Sequence, residues 1–201
     1  MQSIAEEVGI RKPSLLYHFP SKQALRQAVI AELLDRWQER LPKMLAAANG
    51  GTRRFDAVFH EVAAFFQADP NRARLILREV VDRPHETRDV LGQTIAPWSV
   101  LLTDSIRRGQ AAGTIRSEVN PESWLIEVVV LVIGTFAAAD LAGAVFADQA
   151  EISPKDRIDR QLDEIIRMAR TSLYTPSTLA KQNASTAPQE GMAGDEIKEG
   201  T

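Results

Sequence analysis

Arg11, Lys12, Ser14, Tyr17 and His18 fall within one short stretch, and Lys22 follows just beyond it. At helical spacing they set cationic and hydroxyl donors and an aromatic ring along one exposed side. Side chains of that length and donor type reach phosphates and base edges in a DNA major groove. The stretch Gly9 to Val29 contains Arg11, Lys12, Lys22 and Arg26 with no acid, a local balance of +4. Ser21 stands where a helix N-cap is needed, so Lys22 opens the next helix beside free backbone amides, an arrangement suited to clamping a phosphate. The same residues also suit a small helical hairpin with a solvated basic face. The chemistry alone leaves both readings open.

Two short helices and a turn must position these groups. A helix over 2–8 puts Ile4, Ala5 and Val8 on one face. Gly9 supplies the left-handed conformation that reverses the chain, and Ile10 is expected to return to the core. The second helix, 12–18, turns Leu15, Leu16 and Phe19 inward and tolerates Pro13 in its first turn. Leu25, Val29, Leu33, Trp37, Leu41 and Leu45 then recur every four residues and predict one long amphipathic helix from Lys22 to Ala48. Asn49-Gly50-Gly51-Thr52 ends it.

Helical periodicity continues through the rest. Helices are expected over 53–68, ending at Asp69-Pro70, and over 71–81, ending at Arg83-Pro84-His85. A further helix spans 86–112, bent near Pro97 because proline lacks the backbone donor. Gly113 to Arg116 forms a turn, and Asn120-Pro121-Glu122 starts an apolar helix reaching Phe146. Ser153-Pro154 opens a last amphipathic helix ending near Tyr174. No strand alternation is evident, so the fold class is all-α. The final 27 residues hold Leu179, Met192 and Ile197 as their only large aliphatic side chains. That segment, 175–201, is expected to be a disordered tail.

Bulk properties narrow the function classes. The 201 residues suit one or two domains, and the 44% apolar content suffices for a sizeable core. Net charge is −3, so the chain as a whole is not a generic polyanion binder. The absence of cysteine excludes disulfides and thiolate chemistry and suits a reducing cytoplasm. Glu6, Glu7 and Arg11 interrupt any apolar leader. The apolar run Val128 to Ala139 is twelve residues long, short of the about 20 a bilayer span requires. His18, His60 and His85 are dispersed, His60-Glu61 lacks the second histidine of a zinc-protease helix, and no phosphate-loop, dinucleotide or nucleophile-elbow motif is present. An enzyme is not expected, nor is a cofactor or a metal.

Ile4-Ala5, Val8-Gly9-Ile10 and Leu-Tyr-His-Phe-Pro-Ser-Lys at 16–22 together resemble the TetR/AcrR family of bacterial transcription regulators. The resemblance covers about 30 residues at motif level. Arg107-Arg-Gly-Gln-Ala-Ala-Gly-Thr-Ile-Arg116 and the flanking helices look like that family's regulatory domain. Arg11 stands where the family commonly has serine, and Leu16 where it usually has tyrosine. The family also carries a helix ahead of this hairpin. Losing three or four buried side chains with it would forfeit roughly 5–10 kcal/mol of apolar burial. The sequence-based expectation is therefore a truncated helix-turn-helix, its start assigned too far downstream.

The resemblance implies a helix-turn-helix DNA-binding region over 1–48, including the long connecting helix, and a ligand-binding and dimerisation domain over 49–174. It implies a cytoplasmic, ligand-responsive repressor of transcription whose small-molecule effector releases it from a palindromic double-stranded operator. The DNA contacts would fall to Arg11, Lys12, Ser14, Tyr17, His18 and Lys22. A homodimer would pack Leu125, Val129, Val132 and Phe136 with Leu162, Ile165, Ile166 and Met168 in a four-helix interface, although the same residues suit an internal core. The ligand-binding set would be His60, Phe66, Trp98, Leu102, Trp124, Thr135 and Phe136, with Phe65 beside them and Asp140 as a second polar group. The competing reading is a dimeric small-molecule-binding or protein-interaction module without competent DNA binding.

Overall fold

The computed structural model describes residues 1–47, 54–145 and 151–186. The expected helix stop at 48–52 lies outside them. In chain order the helices are α1 Gln2–Val8, α2 Lys12–His18, α3 Lys22–Ala47, α4 Arg54–Gln67, α5 Asn71–Asp82 and α6 Pro84–Thr94. They continue with α7 Ala96–Ala111, α8 Pro121–Ala137, α9 Ala139–Val145, α10 Pro154–Leu173 and α11 Pro176–Thr186. Among the described residues there is no strand, only an isolated bridge between Ile115 and Tyr174. The all-α architecture holds.

Local chemistry accounts for most boundaries. Gly9 is left-handed (φ 74°), and the Ile10 amide closes back on the Ala5 carbonyl at 2.9 Å, a glycine-terminated helix end. Asn120 and Ser153 cap α8 and α10 by accepting the amides of Ser123 and Asp156 at 2.9 and 3.1 Å. The N-cap of α3 is Ser21, whose Oγ accepts the Ala24 amide at 3.0 Å.

The body is built around α8, which packs against α4, α5, α7 and α10. Its Val132 and Phe136 are sealed with Phe59, Phe65 and Phe66 from α4 and with Leu162 and Ile165 from α10. The long helix α3 enters this core through Leu33 and Trp37. A satellite cluster of Ile106, Ile115 and Leu173, with Trp124 and Tyr174 against it, closes the far end. There Gly109 is needed for close approach, since a Cβ would stand 2.5 Å from Ile115 Cδ1.

Three sequence-based expectations need correction. The helix expected over 86–112 is two helices, α6 and α7, broken at Ile95. Pro97 has no amide to give, and the chain restarts with the Trp98 and Ser99 amides both turned to the Ile95 carbonyl at 3.0 Å. The apolar helix expected to reach Phe146 breaks at Ala138 into α8 and α9. Arg74 of α5 covers that end, donating to the Ala137 carbonyl at 3.3 Å and to Asp140 at 2.9 Å. Finally, the expected disordered tail begins with α11, while 187–201 lies outside the described residues. Polar contacts dock this helix where apolar content could not. The Thr175 amide donates to the Thr114 carbonyl at 3.1 Å, and Arg170 Nη2 donates to the buried Gln182 at 2.6 Å.

Phe136 is fully buried at the centre of this packing. Phe136→Ala is expected to lower stability by about 3–5 kcal/mol in urea unfolding; a loss under 1 kcal/mol would contradict the packing described.

Candidate nucleic-acid interface

The α2 helix has two faces. Leu15 is buried beneath it, Leu16 and Phe19 are half-buried, and Arg11, Lys12, Ser14, Tyr17 and His18 are exposed. Tyr17 is 85% exposed, with its ring edge-on to His18 (centroids 5.2 Å apart, planes at 82°). Lys22 is exposed in the first turn of α3. All six residues predicted to contact DNA therefore lie at the accessible surface of the α2–α3 corner.

Their charges are uncommitted. Among the described residues no ion pair engages Arg11, Lys12 or Lys22, whereas Arg36, Arg40, Arg74, Arg107, Arg167 and Arg170 all hold carboxylates. Arg26 departs from the basic patch drawn from the sequence. Its guanidinium turns into the body and pairs with Glu79 and Glu86, leaving its side chain only 15% exposed. The cationic surface offered by this corner is thus Arg11, Lys12 and Lys22. Charge counting could not reveal this, because it carries no direction.

Two apolar residues beside the turn also depart from expectation. Val8 and Ile10 are 65% and 42% exposed rather than inward. A hairpin of two seven-residue helices shares one narrow face, occupied here by Ala5 and Leu15. The residues flanking Gly9 fall outside it.

The predicted ligand set is dispersed. Phe66 and Phe136 lie against each other in the core with ring centroids 5.6 Å apart. His60 is exposed on α4, and Trp98 and Leu102 are half-buried on α7. Trp124 belongs to the satellite cluster and donates its indole N–H to Ser172 at 3.0 Å. The Thr135 hydroxyl is spent on the Leu131 carbonyl at 3.0 Å. None of the seven lines the cavity of about 280 Å³ between α7 and α8, which is walled by Ser99, Val100, Thr103, Arg107, Glu122, Leu125 and Ile126. Two signals were available for it: a threonine buried in mid-helix at 103, and opposite charges at 107 and 122 that pair across the two helices.

The expected dimer residues divide similarly. Val132, Phe136, Leu162 and Ile165 belong to the internal core, so they cannot face a partner. Val129 and Met168 are exposed, at 41% and 47%, and Ile126, Val130 and Leu131 extend the apolar surface of α8 at 65%, 55% and 43%. An apolar helix places hydrophobic residues on every side, and only the buried side could be internal.

A helical hairpin feeding a long connecting helix into an all-helical body is the architecture of a helix-turn-helix regulator. The family description for bacterial regulatory proteins of the tetR family matches residues 1–29, and that for the tetracyclin repressor-like C-terminal domain matches 76–150. The chain belongs to the TetR family. The HTH-type transcriptional regulator RutR of Escherichia coli K12 is 51% identical over 37 residues, and that of Shigella flexneri matches equally. Each match covers 18% of this chain and 18% of the relative, well under two thirds of its length. Among solved structures, a protein studied for the control of antibiotic production by bacterial hormones superposes with a TM-score of 0.56 at 20% identity, covering 87% of this chain and 86% of that one. A structure described as a TetR-family transcriptional regulator from Rhodococcus sp. gives 0.50 at 21% identity, covering 82% and 84%. At such identities these two attest the fold.

The Ser21 cap holds Lys22 at the corner. Ser21→Ala is expected to cost about 1 kcal/mol and to speed amide exchange at Ala24; unchanged exchange there would show that the cap does not hold the turn.

Proposed function

We propose that this chain is a DNA-binding transcriptional regulator, a repressor that places α2 in the major groove of its operator. The observation that carries this reading is the accessible cluster of Arg11, Lys12, Ser14, Tyr17, His18 and Lys22, whose three cations pair with no carboxylate among the described residues. Lys12 and Lys22 would neutralise phosphates, fixing register, while Tyr17 and Ser14 reach toward base edges. The protein would act as a homodimer, setting two α2 helices on successive turns of a palindromic site. The exposed apolar side of α8, from Ile126 to Val130, supports that assembly, because a patch rimmed by charge usually marks a contact surface. The cavity between α7 and α8 supports an effector-binding role. Its walls combine Val100, Leu125 and Ile126 with the Arg107–Glu122 ion pair, which a polar effector group would engage. An effector that binds best when the two heads are misplaced for DNA would release the operator. Such a regulator would work in the cytoplasm.

The exposure of Val8 and Ile10 favours the second reading, a dimeric small-molecule-binding or protein-interaction module whose head does not engage DNA. One experiment separates the two. Binding to the DNA upstream of its own gene is measured across a salt series. The regulator should bind with a steep salt dependence, Lys22→Ala should reduce the slope by about 1, and Tyr17→Ala should weaken binding by about 1–3 kcal/mol. Binding that is absent, or unaltered by both substitutions, favours the module. For the dimer, Val130→Asp is expected to convert a two-chain species to single chains in sedimentation; an unchanged mass would move the interface elsewhere.

A further inference from the structure

The inward turn of Arg26 gives the head its tie to the body. Glu79 sits on α5 and is only 6% exposed. A carboxylate withdrawn from water in this way is costly unless paired. One of its oxygens receives Arg26 Nη1 and the other receives Arg83 Nη1 at 3.4 Å. The second guanidinium nitrogen of Arg26, Nη2, reaches Glu86 on α6. A planar guanidinium has fixed donor directions, so the two bonds together restrict the angle between α5 and α6. The corner between those helices is Arg83 (φ −142°, ψ 60°) followed by Pro84, and the Thr87 hydroxyl braces it by donating to the Glu79 carbonyl at 2.9 Å.

The mechanics follow from where α3 is held. It is embedded in the core at Leu33 and Trp37. Lys22 lies eleven residues before Leu33, a lever of roughly 16 Å at the α-helical rise. A rotation of about 10° at that pivot would carry Lys22, and α2 with it, by roughly 3 Å. This approaches the axial rise per base pair of B-DNA, about 3.4 Å. Between the pivot and the head, Arg26 restrains the swing. The other end of the restraint, α6, leads through Ile95 into α7, whose Ser99, Val100 and Thr103 form one wall of the cavity.

We propose that Arg26 is the positioning residue for the DNA-reading head, a clamp that reads the α5–α6 corner through Glu79 and Glu86 and sets the angle of α3 accordingly. The consequence for operator binding rests on the DNA reading above; the clamp does not.

The cysteine-free chain permits a direct test. Spin labels at E7C on α1 and D89C on α6, both exposed positions outside the clamp, report the distance between head and corner. The intact clamp should give a narrow distribution. Arg26→Met should broaden it or shift it by roughly 3 Å, and Glu86→Ala should do so with the melting temperature of the body unchanged. The half-exposed Glu86 carries the test if Arg26→Met fails to fold. Arg26→Lys, which cannot span both carboxylates, should fall between wild type and Arg26→Met. Affinity for the upstream DNA should drop about fivefold to tenfold in Glu86→Ala. An unchanged, narrow distribution in Glu86→Ala overturns the proposal. Broadening in a protein that binds no DNA even in its wild-type form upholds the clamp and removes the DNA reading.

Discussion

The joint at Trp37 is the contact on which the rest of the molecule depends. Its ring stands edge-on to Phe65 at 5.0 Å and lies 6.4 Å from Phe66, which in turn meets Phe136 at 5.6 Å. Edge-to-face aromatic pairs add about 0.5–1.5 kcal/mol each beyond simple burial, and they also fix orientation. Arg72 closes the outer side, its guanidinium 4.6 Å from the Phe65 ring centroid while it donates to the Phe65 carbonyl at 2.6 Å. This cluster binds α3 to α4 and α8 together. Everything N-terminal to Trp37 is carried on a helix whose root is aromatic and stiff.

Polar ties then select among the positions that stiff root permits. Arg26 with Glu79 and Glu86, Arg74 with Asp140, and Arg170 with Asp56 and Gln182 each join elements distant in sequence. Exposed pairs of this kind contribute little to stability. The partly buried ones have more leverage on geometry, because displacing one partner strands a desolvated charge. The hydrophobic core sets which helices pack, and these ties set how they are angled.

What the sequence made legible follows the same division. The limits of α2, the glycine turn at Gly9 and the caps at Ser21, Asn120 and Ser153 were readable because each depends on neighbours within four residues. The exposed side of α2 was readable for the same reason: Leu15 and Tyr17 lie on opposite sides of one short helix. The breaks at Ile95 and Ala138 were obscured, since the second depends on Arg74 arriving from a different helix. Composition underestimated α11, which is docked through hydrogen bonds rather than apolar area. The aromatic set expected around a ligand divides between the core and the surface, because size and hydrophobicity alone do not say which neighbours a side chain will meet. The α7–α8 cavity carries its polar groups on residues that look like ordinary surface until the two helices are side by side.

The paired rings of Tyr17 and His18 bear on the entropy of docking. A tyrosine this exposed would ordinarily sample several rotamers, and immobilising a side chain at an interface costs about 0.5–1.5 kcal/mol. Resting edge-on against the neighbouring imidazole at 5.2 Å, the phenol has given up part of that freedom before any partner arrives. With that contact already in place, less of whatever attraction this exposed phenol makes would be consumed in holding it still.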